Sequence, residues 1–334
     1  MMNLESLPTE ILNIIISYLD TKTQKELRSV SRYFYNLINY IPSDRRRSLS
    51  TIIVNDVASN NHTNGMNIVL RFFSLRKKKS RLDNDYYNHP YDFYVTVKNI
   101  HGLRFYLDRS YLDNIESAHI SIEKRKEIFN ILNRYFDRES SIEKLDISVK
   151  NCSVWNELYQ FISTVSNINH IKITNLCLGH QEIRNNVLFP IKNTLKSFHI
   201  NECQCTKVLN SRMMKSLISN NYDLKNITIY SDHEKYEEDI ISAVKKRSLI
   251  KKEYDSYCYK FNVTFGSSHF NIMEEQEKCI KLFNDDLYII SEISKIDDNF
   301  CYIEAYKKSD HCYKDRIISI GLKKITLDEI PHCS

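Results

Sequence analysis

The sequence predicts an α/β protein: a short three-helix unit at the N-terminus, then an array of parallel strands alternating with helices. Three observations predict it. Apolar residues recur at helical spacing through the first forty positions. A pattern apolar-x-x-apolar-x-apolar then returns at intervals of 26, 27 and 29 residues. Helix-period apolar faces fill the gaps between its copies, and strands that alternate with helices build parallel sheets.

The first helix is placed by Pro8 and Glu10. Proline tolerates the first turn, and a carboxylate there complements the helix dipole. Leu7, Ile11, Leu12, Ile15, Ile16 and Leu19 follow at helical spacing, and the helix should stop near Tyr18 to Asp20. Thr23-x-x-Glu26 is a capping-box pattern that should open a second helix carrying Leu27. A third follows Val30-Ser31, with Phe34, Leu37 and Ile38 on one face and Pro42 beyond its end. So small a unit leaves much apolar surface exposed unless a partner covers it.

The order of anchors is Leu7-Pro8-x-Glu10-Ile11-Leu12, Ile15, Tyr18-Leu19-Asp20, Leu27, Val30-Ser31-Arg32 and Phe34. This resembles the F-box. The resemblance implies that Leu7, Pro8, Ile11, Ile15, Leu19, Leu27 and Val30 dock the Skp-type adaptor of a cullin–RING ubiquitin ligase. Gln24 stands where the family usually has Leu, and Phe34 where many members have Trp. Gln24 is the departure that bears on the docking face.

The strand copies are Ile142-x-x-Leu145-x-Ile147, Ile168-x-x-Ile171-x-Ile173, Leu195-x-x-Phe198-x-Ile200 and Leu224-x-x-Ile227-x-Ile229. A weaker copy is Ile115-x-x-Ala118-x-Ile120, and a fainter one starts at Pro90 with Phe93 and Val95. Helical faces lie between them, among them Ile128, Phe129 and Leu132, then Trp155, Leu158 and Ile162. Leu209, Met213 and Leu217 make a third, and Tyr236, Ile240 and Val244 a fourth.

The segment resembles a degenerate leucine-rich-repeat solenoid. Where that family has Asn after the strand, Lys150, Leu176, Cys203 and Asp232 stand here, and only Cys203 fits. An ordinary α/β domain with a parallel sheet is the alternative.

Strand side chains alternate, so the residues between the apolar ones share one polar face. Three ladders are expected on it: Lys144, His170, Ser197 and Asn226; Asp146, Lys172, His199 and Thr228; and Ser148, Thr174, Asn201 and Tyr230. Asp146 and Lys172 are expected to pair across neighbouring strands. The face reads either as a client-binding surface or as a solvated sheet face. His170 and His199 lack a paired nucleophile in a recognisable motif and read as solvated strand histidines.

At 334 residues and 39.7 kDa the chain can bury a large core and holds two or more units. The expected organisation is residues 1–42 as the F-box-like unit, 43–90 as a connecting segment, 91–250 as the repeats, and 251–334 as a continuation or cap. A net charge of +5 is too mild to argue for nucleic acid. The basic run Arg76 to Arg81 is followed at once by Asp83 and Asp85 and reads first as a solvated loop, with a nuclear signal or a phosphate contact as the alternatives.

No apolar run approaches the roughly 20 residues that span a bilayer, and the N-terminus lacks a signal-peptide pattern. The expected location is intracellular, cytoplasmic rather than nuclear. The nine cysteines include no C-x-x-C pair, so no disulfide frame or zinc ribbon is indicated. Cys203-x-Cys205 with His199 can be drawn as a metal site, but its spacing favours strand residues packed on one face.

With only five glycines and no phosphate-binding or hydrolase motif, no catalytic site and no cofactor are expected. Abundant Asn, Ile, Lys and Tyr with few Gly point to an A/T-rich genome such as that of a giant DNA virus, in which case the compartment is the host cell's. The function expected is that of a substrate-recognition adaptor for a cullin–RING ligase, contributing proximity and no acid–base chemistry. The alternative is a ligase-independent interaction scaffold with a vestigial F-box.

Overall fold

The computed structural model describes residues 7–19, 21–40, 47–56, 66–77, 88–165, 167–179, 181, 183, 187–233, 236–248, 259–284, 287–307, 316–329 and 331. Three helices open the chain: α1 (Thr9–Tyr18), α2 (Thr21–Val30) and α3 (Arg32–Tyr40). Pro8 caps α1, and its carbonyl accepts from Leu12 N at 3.0 Å. Ser31 Oγ accepts from Phe34 N at 3.3 Å, satisfying an otherwise free donor at the start of α3. The Thr23-x-x-Glu26 pattern does not mark a helix start, because α2 begins at Thr21 and contains both residues.

The remaining strands form one sheet. They are β1 (Arg47–Asp56), β2 (Asn67–Lys77), β3 (Asn88–Val97), β4 (Ser110–Tyr111), β5 (Asn114–Ile122), β6 (Ser141–Val149), β7 (Asn167–Leu176), β8 (Ser197–Glu202), β9 (Asn226–Tyr230), β10 (Tyr259–Ser267), β11 (Ile289–Asp297), β12 (Phe300–Lys307) and β13 (Arg316–Lys324). Their order is β11-β12-β13-β10-β9-β8-β7-β6-β5-β1-β2-β3, with β4 beside β1. From β13 through β10 and down to β1 the neighbours are parallel. The hairpins at the two ends are antiparallel.

The intervening helices are α4 (Ile100–Leu107), α5 (Glu127–Tyr135), α6 (Trp155–Thr164), α7 (Ser211–Asn220), α8 (Glu237–Ser248) and α9 (Ile272–Phe283). Asn99 caps α4 by accepting from Gly102 N at 2.7 Å, and Asn210 caps α7 by accepting from Met213 N at 2.8 Å. The architecture is therefore mixed α/β with a large, mostly parallel sheet.

Sequence alternation explains the core. The register lines up Ile52, Ala118, Leu145, Ile171, Phe198, Ile227, Val263 and Ile320 in one buried column across eight strands. Val54, Ile120, Ile147, Ile173, Ile200, Ile229, Phe265 and Leu322 are buried two residues further along. Phe129, Phe136 and Phe161 meet above them, with ring centroids 5.8 Å and 5.3 Å apart. Where β7 connects to β8, Phe189 and Ile191 are buried, and Phe189 packs edge-on against Phe198 at 5.1 Å.

Two buried carboxylates tie loops to the sheet. Asp56, at the end of β1, accepts from Lys124 N (3.0 Å) and Arg125 N (2.6 Å). Glu202, at the end of β8, accepts from Val208 N, Leu209 N and Ser231 Oγ, each at 2.8 Å. Burial pushes the Glu202 carboxyl above its usual range, and these donors oppose the shift without cancelling it.

The four strong sequence copies fall on β6 to β9 and the weak one on β5. The fainter copy from Pro90 lies in β3, which runs antiparallel to β2 at the sheet edge, so it is not another turn of the parallel array. The segment 43–90 supplies β1 and β2, which belong to the same sheet. The segment 251–334 continues it, with β10 beside β9 and β13 beside β10. Among the described residues, no helix is long and apolar enough to cross a membrane.

Candidate functional site

The N-terminal unit has a small core of its own. Leu12, Ile16, Phe34 and Leu37 are buried together, with Leu7 and Leu27 packed against them. On α1, Leu12 and Ile16 are four residues apart and face this core. Ile11, Ile14 and Ile15 lie on another stripe and are 45%, 51% and 36% exposed. A helix that is apolar on two faces buries both only if something outside the unit covers one. Six of the fourteen large hydrophobic side chains exposed among the described residues are in α1–α3: these three isoleucines, Val30, Tyr33 and Tyr35.

The expected docking residues therefore separate into two groups. Pro8, Ile11, Ile15 and Val30 are at the surface. Leu7, Leu19 and Leu27 are half-buried, and two of them support the core. Ile14, Tyr33 and Tyr35 join the exposed set, although the motif did not mark them.

Gln24 is not at the surface of the unit. It is buried, and its amide donates to the carbonyls of Ile16 and of Leu19, the latter at 3.2 Å. It fastens α2 to the end of α1, so the polar residue in this family position is consumed inside the unit. Phe34, in place of the family's Trp, is a core residue with its ring edge-on to Tyr33 at 5.7 Å.

Residues 4–46 match the F-box domain model. F-box domains typically bind a Skp-type adaptor and the cullin machinery. No curated protein and no solved structure matches this chain.

The second surface is the polar face of the sheet. The register pairs Lys144 with His170, His170 with Ser197, and Ser197 with Asn226. It likewise pairs Asp146 with Lys172, Lys172 with His199, and His199 with Thr228. The third ladder is interrupted. Ser148 pairs with Thr174 and Asn201 with Tyr230, but the register shifts between Ile173 and Leu176, so Thr174 does not meet Asn201. Asn175 causes the break, adopting φ 53°, a left-handed conformation that asparagine tolerates.

The ladders also run further than expected. Ser117 and His119 extend them on β5, and Asn262 and Thr264 on β10. All the ladder residues from β6 to β9 are exposed or half-buried. Asp146 does not pair with Lys172 among the described residues. Its carboxylate reaches the other way, to His119 Nδ1 at 3.5 Å. The basic run contributes Arg76 and Lys77 to β2, and residues 78–81 lie outside the described residues.

Both ladder histidines have lowered pKa values. His170 Nδ1 is 2.7 Å from Ser197 Oγ and its Nε2 3.6 Å from Glu143. Burial lowers its pKa, against the opposing pull of Glu143. His199 meets the Tyr230 ring edge-on at 5.5 Å. Burial and then Lys172 lower its pKa, opposed by Asp146.

Ser197, His170 and Glu143 form a row with the residue types of a hydrolase triad. His170 and Ser197 are register partners on β7 and β8, and Glu143 reaches the row from β6. Glu143 is also shared with Lys196 at 3.8 Å and with the Asn169 amide. The row is a cross-strand polar network.

The expectation for Cys203, Cys205 and His199 needs correction. His199 points to the ladder face, against Tyr230. Both cysteines lie beyond β8, so they are not alternate residues of one strand. They gather instead with Cys177, the three sulfurs lying within 4.8 Å of one another.

Proposed function

We propose that this chain is a substrate-recognition adaptor of a cullin–RING ubiquitin ligase. Its F-box docks a Skp-type adaptor through Pro8, Ile11, Ile15 and Val30. Its polar sheet face, built by degenerate leucine-rich-repeat-like units, grips a client protein. The chain adds no acid–base chemistry; it raises the local concentration of client lysines near the charged enzyme. Its place of action is the cytoplasm.

One observation carries the reading. α1 presents an apolar stripe outward while a second stripe fills the core, inside a segment that matches the F-box domain. The reading of a vestigial F-box rested on Gln24, and that side chain is turned inward. The test is co-purification of the full chain with a Skp-type adaptor. Wild type brings the adaptor down, and the Leu7→Ala, Pro8→Ala double variant loses it. A wild type that never captures the adaptor overturns the proposal.

A further inference from the structure

The third ladder continues past Tyr230. Its row runs Asn201 (β8), Tyr230 (β9), Gly266 (β10) and Lys323 (β13), each paired with the next across the parallel sheet. Glycine leaves room in the middle of this row. A Cβ added at Gly266 would lie 2.5 Å from Tyr230 Cδ1, so the Tyr230 ring leans over that position. Lys323 Nζ lies 5.6 Å from the centroid of the same ring, within cation–π range. Amide, ring and ammonium thus make one patch near the carboxyl ends of four neighbouring strands.

The chain's own C-terminal segment sits on this patch. After β13, Ile325 is buried and Leu327–Glu329 form a single 3-10 turn. Glu329 N donates to the Thr326 carbonyl at 3.0 Å, and Thr326 N donates to Glu329 Oε2 at 3.1 Å. Glu329 then bridges the row. Its Oε1 accepts from Lys323 Nζ at 2.6 Å, and its carbonyl accepts from Asn201 Nδ2 at 3.2 Å. Chain proximity explains the first contact, which spans 6 residues, but not the second, which spans 128. The match is incomplete. Asn201 Oδ1 is buried and has no hydrogen-bond partner among the described residues. An asparagine amide can donate to a carbonyl and accept from an N–H at once, which suits extended peptide backbone. Among the described residues the turn supplies only the carbonyl.

We propose that Asn201, Tyr230 and Lys323 form a subsite for an acidic peptide segment of a client, and that the Leu327–Glu329 turn is the chain's own occupant of it. Lys323 takes the carboxylate, Asn201 takes a backbone carbonyl and N–H, and Tyr230 offers ring surface between them. The side chains of Lys323 and Glu329 are 31% and 42% exposed, so their ion pair is weak enough to exchange. A client segment makes the same ion pair and also satisfies the orphaned Asn201 oxygen, and so displaces the turn. The proposal rests on the reading of the ladder face as the client-binding surface, and it gives that face a ligand chemistry. The turn acts as an intramolecular competitor: apparent client affinity falls with the fraction of time the subsite is open.

The test titrates a peptide of the chain's own residues 324–329, acetylated and amidated, into the isotope-labelled full chain. It follows the Asn201 side-chain amide resonance, assigned by its loss in Asn201→Ala. In Glu329→Lys, which removes the turn's carboxylate and repels Lys323, the peptide should shift that resonance saturably. Its apparent affinity should exceed that for wild type by at least about tenfold, the factor for a turn seated about 90% of the time. Adding Lys323→Ala to Glu329→Lys should abolish the response, and so should a peptide with Gln in place of its Glu. These side chains are partly exposed, and the melting temperature should stay at the wild-type value. The probe is the chain's own segment, so the result needs no client. Capture of a Skp-type adaptor by the same preparations should be unchanged, which separates failure here from failure of the adaptor reading. Equal affinity in wild type and Glu329→Lys, no response in Glu329→Lys, or an undiminished response to the Gln peptide overturns the proposal.

Discussion

In the sheet body, apolar side chains from strands and helices meet in one continuous core, and the opposite sheet face is polar. The F-box is built differently. It closes over four buried residues, Leu12, Ile16, Phe34 and Leu37, while Ile11, Ile14 and Ile15 face solvent. The body covers its own hydrophobic surface; the F-box leaves part of its own exposed. The contrast teaches that exposed apolar residues are informative where they cluster on a unit with a small core, and not when scattered singly.

The largest effect is expected in the body. Phe161 is fully buried between Phe129 and Phe136. Phe161→Ala should cost about 3–5 kcal/mol by removing packing and leaving a cavity, measured by denaturant unfolding. A loss below about 1 kcal/mol would break the comparison, because it would mean the body is not tightly packed.

Next comes Glu202. Glu202→Ala strands two backbone N–H groups and the Ser231 hydroxyl, for about 2–5 kcal/mol. Glu202→Gln keeps an acceptor for the two N–H groups and should recover most of it. The folded pKa of Glu202 is raised, so its contribution is full below the unfolded value near 4.5 and falls as pH rises through the folded value. Gln should remove that decline, which urea titrations at several pH values can read.

Gln24 gives a smaller effect and sharpens the contrast from the F-box side. Gln24→Leu restores the family's usual residue but deletes two hydrogen bonds to the end of α1. It should destabilise the unit by about 1–2 kcal/mol while adaptor affinity changes less than tenfold. If adaptor binding instead strengthens sharply, Gln24 belongs on the docking face after all.

The smallest effect concerns the ladder histidines. Both folded pKa values are lowered, so the unfolded chain binds more protons in the window below the ordinary value near 6.5. Stability is intact above that pH and declines as pH falls through it toward the lowered folded values. The double variant His170→Gln, His199→Gln should flatten this slope, with melts between pH 5 and 7.5 as the check.

The strand rhythm was legible because each copy repeats one physical unit: Ile142, Leu145 and Ile147 bury the same face as Ile168, Ile171 and Ile173. The first two ladders follow from it directly. The third failed at Asn175, where one left-handed residue shifts the register without disturbing the apolar pattern. The end of the sheet was not legible, because the partner of β10 is β13 and an entire hairpin, β11–β12, lies between them in sequence. Cys177 was missed for a related reason. It stands 26 residues before Cys203, one repeat earlier at the equivalent strand end, and only stacking of the repeats makes them neighbours. That shared repeat position was the available signal. In the F-box, motif order marked Ile11 and Ile15 but could not reveal that Gln24 turns inward.

The central claim is that the outward stripe of α1 is reserved for a partner. Calorimetric titration of a purified Skp-type adaptor into the full chain, wild type against Ile11→Asp, Ile15→Asp, tests it most directly. The account predicts saturable binding by wild type and a loss of at least about 100-fold in the variant, some 2.7 kcal/mol, with the melting temperature of the sheet body unchanged. Equal affinity in the two chains, or no binding by wild type, would contradict it.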